Sequence, residues 1–251
     1  MKTIGLLGGM SWESTQSYYR LLNEGVRDAL GGLHSARLAL FSVDFAEIER
    51  LQHLGDWAAT EEILSAAAQS VQAAGADFLL ICTNTMHKVA SQTQAQLSIP
   101  ILHLADATAL ALKQDGIQRV GLLGTRFTME QSFYRDRLVA QGIEVLTPDD
   151  AGRDQVHRII YQELCQGQIL VSSRERYCDQ VAALVAEGAE AMVLGCTEIG
   201  LLLRPQDVAT PLYDTTVIHA REAVSVALGR SPLPGFVVWP ACPVIPEITI
   251  Y

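Results

Sequence analysis

Short apolar runs alternate along the chain with longer segments in which apolar residues return every three or four positions. Strand-like runs fall at Thr3 to Leu7, Ala36 to Val43, Asp77 to Cys82, Pro100 to Leu102, Arg119 to Leu123, Glu144 to Leu146, Glu190 to Gly195 and Pro211 to Tyr213. Between them, Trp12 to Leu30 carries Tyr18, Leu22, Val26 and Leu30 at fourfold spacing, the pattern of a helix with one buried face. Trp57 to Ala74 does the same with Ile63, Ala67, Val71 and Ala74. Thr128-Met129-Glu130-Gln131 reads as a capping box that opens a helix ending at Gly142. Such β-α alternation predicts an α/β fold of parallel sheets covered by helices.

The pattern repeats. Ile4-Gly5-Leu6-Leu7-Gly8 returns as Val120-Gly121-Leu122-Leu123-Gly124, an offset of 121 − 5 = 116. Gly75-Ala76-Asp77, a strand and Cys82-Thr83 return as Gly188-Ala189-Glu190, a strand and Cys196-Thr197, an offset of 196 − 82 = 114. Pro100-Ile101-Leu102-His103 has a looser echo in Pro211-Leu212-Tyr213-Asp214. Landmarks in one order at nearly one offset predict a duplicated α/β unit, whose two lobes place equivalent strand ends on either side of a cleft. The expected partition is a first lobe of residues 1–113 plus 211–229, a second of 114–210, and a tail of 230–251.

Composition narrows the functions open to such a chain. A formal net charge of −10, with no Lys/Arg-rich stretch, argues against nucleic acid or an acidic membrane surface as a partner. No apolar run exceeds six residues, well short of a spanning helix. The beginning of the chain lacks the apolar length and cleavage site of an export signal, so a cytoplasmic location is expected. The five cysteines are an odd number without a C-x-x-C pair, and a reducing compartment keeps them as thiols. Neither the six histidines nor the cysteines are spaced as metal ligands, so no metal site is expected. Gly5 to Gly9 lacks both the dinucleotide-binding spacing and the phosphate-loop ending, and reads as a tight turn bringing Met10 and Ser11 toward the cleft. No serine-nucleophile elbow is present.

Cys82 and Cys196 carry the chemistry. Each follows a glycine, an acidic residue and a short strand, and each precedes a threonine and a further polar residue, Asn84 or Glu198. Ligands of open α/β sheets bind beyond the carboxyl ends of the strands, which is where both thiols fall. Amides after Cys82, at Thr83, Asn84 and Thr85, are expected to open a helix, lower the thiol pKa and hold a carboxylate. A free cysteine at a strand end is commonly a packing residue; the matched pair is what points to catalysis. Inversion of a hydrogen-bearing carbon needs a base on one face and an acid on the other, and two equivalent thiols perform both roles by exchanging protonation states. Cys165 and Cys178 lie in helix-like stretches and read as packing or surface residues. His87, five residues after Cys82, is more readily placed facing away from the thiol than toward it.

The motifs Ile4-Gly5-Leu6-Leu7-Gly8-Gly9-Met10-Ser11, Cys82-Thr83-Asn84-Thr85-Met86-His87 and Gly195-Cys196-Thr197-Glu198, in this order, resemble those of the aspartate/glutamate racemase family. The likeness extends over roughly residues 1–229. It implies two pseudo-symmetric flavodoxin-like lobes with the active site in the cleft between them. It also implies a homodimer, and cofactor-independent racemisation of an amino acid without pyridoxal phosphate or metal. Cys82 and Cys196 would be the acid/base pair, with Met10, Thr83, Asn84, Thr85, Thr128, Thr197 and Glu198 around the amino-acid head.

Aspartate-specific relatives are expected to hold the distal carboxylate with an arginine after the second strand and a lysine in the second lobe. The matching segments here, Asp44 to Glu49 and Glu163 to Gln166, offer no base at those positions. Arg50 is the nearest cation and Gln52 a neutral alternative. An unpaired carboxylate in a closed cleft is costly, so these residues suit a broader specificity, including small polar side chains such as homoserine's. Maleate isomerisation, hydantoin racemisation or malonate decarboxylation on the same scaffold, and a non-catalytic carboxylate-binding module, are the competing readings. Five of the nine prolines fall between Pro232 and Pro246, which excludes a helix for the tail, including Cys242.

Overall fold

The computed structural model describes residues 1–233; the remainder of the tail, with Cys242, lies outside the described residues. Two parallel sheets form the centre. Strands β1 (Ile4–Gly8), β2 (Leu38–Ser42) and β3 (Phe78–Ile81) pair in the order β2-β1-β3. Strands β4 (Arg119–Gly124), β5 (Glu144–Leu146), β6 (Ala191–Gly195) and β7 (Leu212–Asp214) pair in the order β5-β4-β6-β7. The two orders are the same once Ile101, which bridges β3 at Leu79, is counted as the first lobe's fourth strand. That strand, expected over Pro100 to Leu102, is reduced to one bridge: Pro100 has no N–H to donate, and His103 already caps the next helix.

Parallel strands need crossovers, and helices supply them. Helix α1 (Trp12–Leu30) follows β1, while α2 (Phe45–Leu54) and α3 (Trp57–Ala73) follow β2. After β3 come a 3₁₀ turn (Thr85–Val89), α4 (Ala90–Ala95) and α5 (Leu104–Gln114). In the second half α6 (Arg126–Glu130) and α7 (Ser132–Ala140) follow β4. Helices α8 (Asp150–Gln162) and α9 (Val171–Ala186) lead to β6, and α10 (Ile199–Leu202) follows it. Helix α11 (Thr215–Ala227) follows β7.

The inner strands β1, β3, β4 and β6 are buried on both faces, which is why they read as unbroken apolar runs, whereas the edge strand β2 leaves Leu40 and Phe41 exposed. On the first sheet, α3 packs Leu64, Ala67, Ala68 and Val71 against Leu7, Leu79 and Ile81. Its other face, Ile4, Leu6, Phe78 and Leu80, meets Tyr18, Leu22 and Val26 of α1 and Ala220, Ala223 and Val224 of α11. On the second sheet, α8 and α9 cover Leu123, Met192 and Leu194, and α5 and α7 cover Val120, Leu122, Ala191 and Val193.

The packing therefore departs from the partition expected for residues 1–113 plus 211–229 and 114–210. Helix α5 lies on the second sheet, and β7 is hydrogen-bonded to β6. Helix α11 packs on the first sheet. The physical reason is the same in both halves: after the last extended segment an N-cap residue, His103 or Asp214, turns the chain across to the other lobe. The repeat marks where the sequence is duplicated; the exchanged helices tie the two copies together.

The repeated glycines Gly5 and Gly121 sit where a helix presses on the strand. A Cβ on Gly5 would lie 2.6 Å from Val71 Cγ1 of α3, and one on Gly121 would lie 2.9 Å from Leu184 Cδ1 of α9 and 2.5 Å from Met192 Sδ of β6. The hydroxyl that caps α6 is Thr125, which accepts from the Thr128 N–H, so the expected capping box at Thr128 starts one turn too late. Gln131 then breaks the run into α6 and α7.

Candidate active site

Cys82 and Cys196 occupy equivalent places, one residue beyond β3 and β6, the strands next to the first strand of each sheet. The Cys82 N–H donates to Leu7 O at 2.9 Å, extending the β1–β3 ladder as far as the thiol. Its side chain is fully buried, whereas Cys196 keeps part of its surface open. The chain after Cys82 forms a 3₁₀ turn of five residues.

His87 fixes that segment. Its Nδ1 donates to Thr83 O at 2.8 Å and its Nε2 accepts from the Leu104 N–H at 3.2 Å, so both ring nitrogens hold backbone, as expected for a residue facing away from the thiol. Asn84 donates through Nδ2 to Thr215 Oγ1 at 3.2 Å, while its buried Oδ1 has no partner. Thr85 Oγ1 meets Thr125 Oγ1 at 3.2 Å, and Thr125 meets Thr128 at 3.3 Å. The segment after Cys82 is thus stitched to the start of α11 and to the turn after β4.

Glu198 is the electrostatic centre of the opposite segment. Its side chain is only 4% exposed. The Cys196 thiol donates to Oε2 at 2.9 Å, and Thr197 Oγ1 donates to the same oxygen at 2.7 Å. Oε1 accepts from Ser11 Oγ at 2.7 Å and Ser14 Oγ at 3.0 Å, both from the first turn of α1 in the other half of the chain. Ser14 Oγ also contacts Thr197 Oγ1. A buried carboxylate with this many donors is held in one orientation.

The expected lowering of the thiol pKa is overturned. Burial pushes the Cys82 thiol up, and burial followed by the Glu198 charge pushes Cys196 up. A 3₁₀ turn is too short to oppose the desolvation of a sulfur anion.

The other expected site residues separate into four groups. Thr83, Thr197 and Glu198 lie in the cysteine segments, with Thr83 and Thr197 partly exposed. Asn84, Thr85 and Thr128 are buried and reach across the halves directly or through Thr125. Met10 packs in the first lobe's core with Leu7, Ile48 and Met86. Helix α2 buries Ile48, Leu51 and Gln52 and turns Arg50 outward, so Gln52 and not Arg50 faces inward. Gln52 donates to Met86 Sδ at 3.8 Å and accepts from Tyr161 Oη of α8 at 3.2 Å.

Sequence reasoning missed Ser14, Thr125, Tyr161 and Thr215. Ser14 stands one turn after the motif residue Ser11, and α1 periodicity places it on the buried face; Tyr161 carries no motif at all. Cys165, assigned to packing, does pack against the second lobe's core. Among the described residues no cluster of metal-ligating side chains occurs, and no helix is long and apolar enough to cross a membrane.

Two lobes of one repeated parallel unit, each ending a strand in Cys-Thr, with each cysteine segment held by polar contacts to the other half of the chain, have the architecture of two-lobe racemases. The Asp/Glu/hydantoin racemase family model matches residues 7–223, and the chain belongs to that family. A candidate Asp/Glu racemase from Yersinia pestis has a crystal structure similar to this one. It is 55% identical, covers 91% of this chain and 100% of its own, and gives a TM-score of 0.85. An aspartate racemase homologue from Pyrococcus horikoshii OT3 is 32% identical over 91% of this chain and 100% of its own, with a TM-score of 0.80. A broad-specificity amino-acid racemase of Bacillus subtilis (strain 168) is 23% identical over 64% of this chain and 69% of its own length. The family match ends before the tail begins.

Proposed function

We propose that the protein racemises free amino acids by two-base proton transfer between Cys82 and Cys196, without pyridoxal phosphate or metal. The observation that carries this reading is the equivalence of the two thiols, each one residue past the corresponding strand of its sheet. In one direction the Cys196 thiolate removes the α-proton and the Cys82 thiol delivers its own proton to the opposite face. The carbanion's electron pair takes that proton, Cys196 ends as thiol and Cys82 as thiolate, and the reverse reaction uses this pair directly.

Glu198 supports the cycle. Its carboxylate accepts the Cys196 S–H at 2.9 Å and serves as the base that takes this proton to make the thiolate. Asn84 Oδ1, buried without a partner, suits the substrate's ammonium. Amides and hydroxyls of Thr83, Thr85, Thr128 and Thr197 surround the carboxylate, where charge develops in the transition state. Met10 packs behind the turn that carries Ser11.

The substrate reading is a broad set of amino acids, including small polar ones such as homoserine, because Gln52 occupies the inward position of α2. The family resemblance also suggests a cytoplasmic homodimer. The test is chiral chromatography of L-amino acids incubated with purified protein and no added cofactor, with maleate, hydantoins and malonate in the same panel. Enantiomers should interconvert, and Cys82→Ser and Cys196→Ser should each abolish the reaction. Full activity in either variant would remove the two-thiol mechanism.

A further inference from the structure

Tyr161 stands at the end of α8 and reaches from the second lobe to the first. Its hydroxyl donates to Gln52 Oε1 at 3.2 Å, and Gln52 is itself only 4% exposed. The Gln52 amide continues to Met86 Sδ at 3.8 Å, two residues past Asn84. The phenol ring is held on both sides by imidazoles: His157 of its own helix at 4.8 Å between centroids and His53 of α2 at 5.7 Å, edge to face. The same phenol lies within electrostatic reach of Cys196 and Glu198. A chain of polar contacts therefore runs from Tyr161 of the second lobe through Gln52 to Met86, in the segment that follows Cys82.

The groups along this wall are a phenol, an amide and two imidazoles. The nearby cations are directed elsewhere: Lys88 Nζ lies 3.8 Å over the Trp57 ring, and Arg126 is held by Glu130 and Asp154. Glu49, one helical turn before His53 and 3.1 Å from its Nδ1, adds negative charge. A carboxylate placed here would lose its hydration and meet no lysine or arginine directed at it, whereas a hydroxyl or amide could insert between phenol and amide and satisfy both.

We propose that Tyr161, acting with Gln52, reads the substrate's side chain and selects neutral hydrogen-bonding groups over carboxylates. The proposal rests on the racemase reading and extends it to a residue that no motif marks. The Tyr161 hydroxyl and the Gln52 amide satisfy each other directly. With a hydroxyl or amide side chain bound, the Tyr161 hydroxyl donates to it and the Gln52 amide completes the pairing.

Two measurements on the full chain separate this proposal from the racemase reading. The first is the ratio of kcat/KM for homoserine, and for glutamine, to that for alanine, compared between the wild type, Tyr161→Phe and Gln52→Leu. The ratio should fall about 3- to 10-fold in each variant, the loss of one neutral hydrogen bond. The second is calorimetric binding of homoserine, alanine and glutamate to Cys82→Ser, with and without Tyr161→Phe. Homoserine should bind more tightly than glutamate, and its advantage over alanine should shrink with Tyr161→Phe. Absence of turnover with this binding pattern intact would remove the racemase reading and leave the side-chain assignment standing. Turnover with unchanged ratios, glutamate binding as tightly as homoserine, or no amino acid bound at all would overturn the assignment.

Discussion

Three imidazoles are buried together behind the Cys82 segment, and acid should unfold the protein through them. His219 accepts from Tyr18 Oη at Nδ1 and donates from Nε2 to Leu102 O, both at 2.8 Å. His87 lies 6.0 Å from His219 and 4.4 Å from His103, ring centre to ring centre. Burial lowers His219 to about 4 and His87, with the neighbouring His219 charge adding to the effect, to about 3. His103 is lowered as well, by burial first. A histidine depressed in the folded state leaves stability intact above the unfolded value near 6.5, and stability drains away as pH falls toward the folded value. At pH 5 the loss is about 2 kcal/mol for each of His87 and His219, against a typical total of roughly 5–15 kcal/mol. Buried Asp214, raised by desolvation, acts in the opposite sense. The assay is urea unfolding followed by circular dichroism at pH 7.5, 6.5, 5.5 and 5.0, with His219→Gln as the control. The variant should lose up to one linked proton, about 1.4 kcal/mol per pH unit. Stability that stays flat from pH 7.5 to 5.0, or an unchanged slope in His219→Gln, would refute the reasoning.

Further outcomes follow from the same geometry. Glu198→Gln removes the base bonded to Cys196, so kcat should fall about 100- to 10,000-fold with the fold retained by circular dichroism; activity within threefold of wild type would dismiss that role. Gly121→Ala forces a methyl against Met192 and Leu184 and should cost about 1–3 kcal/mol in urea unfolding, with no loss if the α9 contact yields freely. Iodoacetamide at pH 7 should modify the partly exposed Cys196 before the fully buried Cys82 in peptide mass mapping, since both thiols are held protonated and exposure decides the order. Equal or reversed rates would show that the sulfurs do not differ in access as described.

Much of this architecture is written locally in the chain. Unbroken apolar runs marked β1, β3, β4 and β6 because these inner strands are covered on both faces, and fourfold spacing placed α1 over Trp12–Leu30. Cys82 and Cys196 were legible because a repeat gives each a matched context. Other features depend on who packs against whom. No local pattern says that α5 crosses to the second sheet, or that Thr125 rather than Thr128 caps α6. The thiol pKa was misjudged because a helix start can be read from sequence, while desolvation is a property of the assembled interior. Ser14, Thr215 and Tyr161 matter through partners 109 to 184 residues away, at Gln52, Asn84 and Glu198, and such pairings have no sequence signature.

Deuterium partition during the first turnovers in D₂O, started separately from each enantiomer of one accepted amino acid, bears most directly on the two sulfurs. With a thiol on either face, the product enantiomer carries deuterium at the α-carbon from the outset while the recovered starting enantiomer stays protiated, and the same holds in the reverse direction. A product that retains the original proton, or a starting enantiomer that exchanges without inverting, would mean that a single base serves both faces and would contradict the assignment of Cys82 and Cys196.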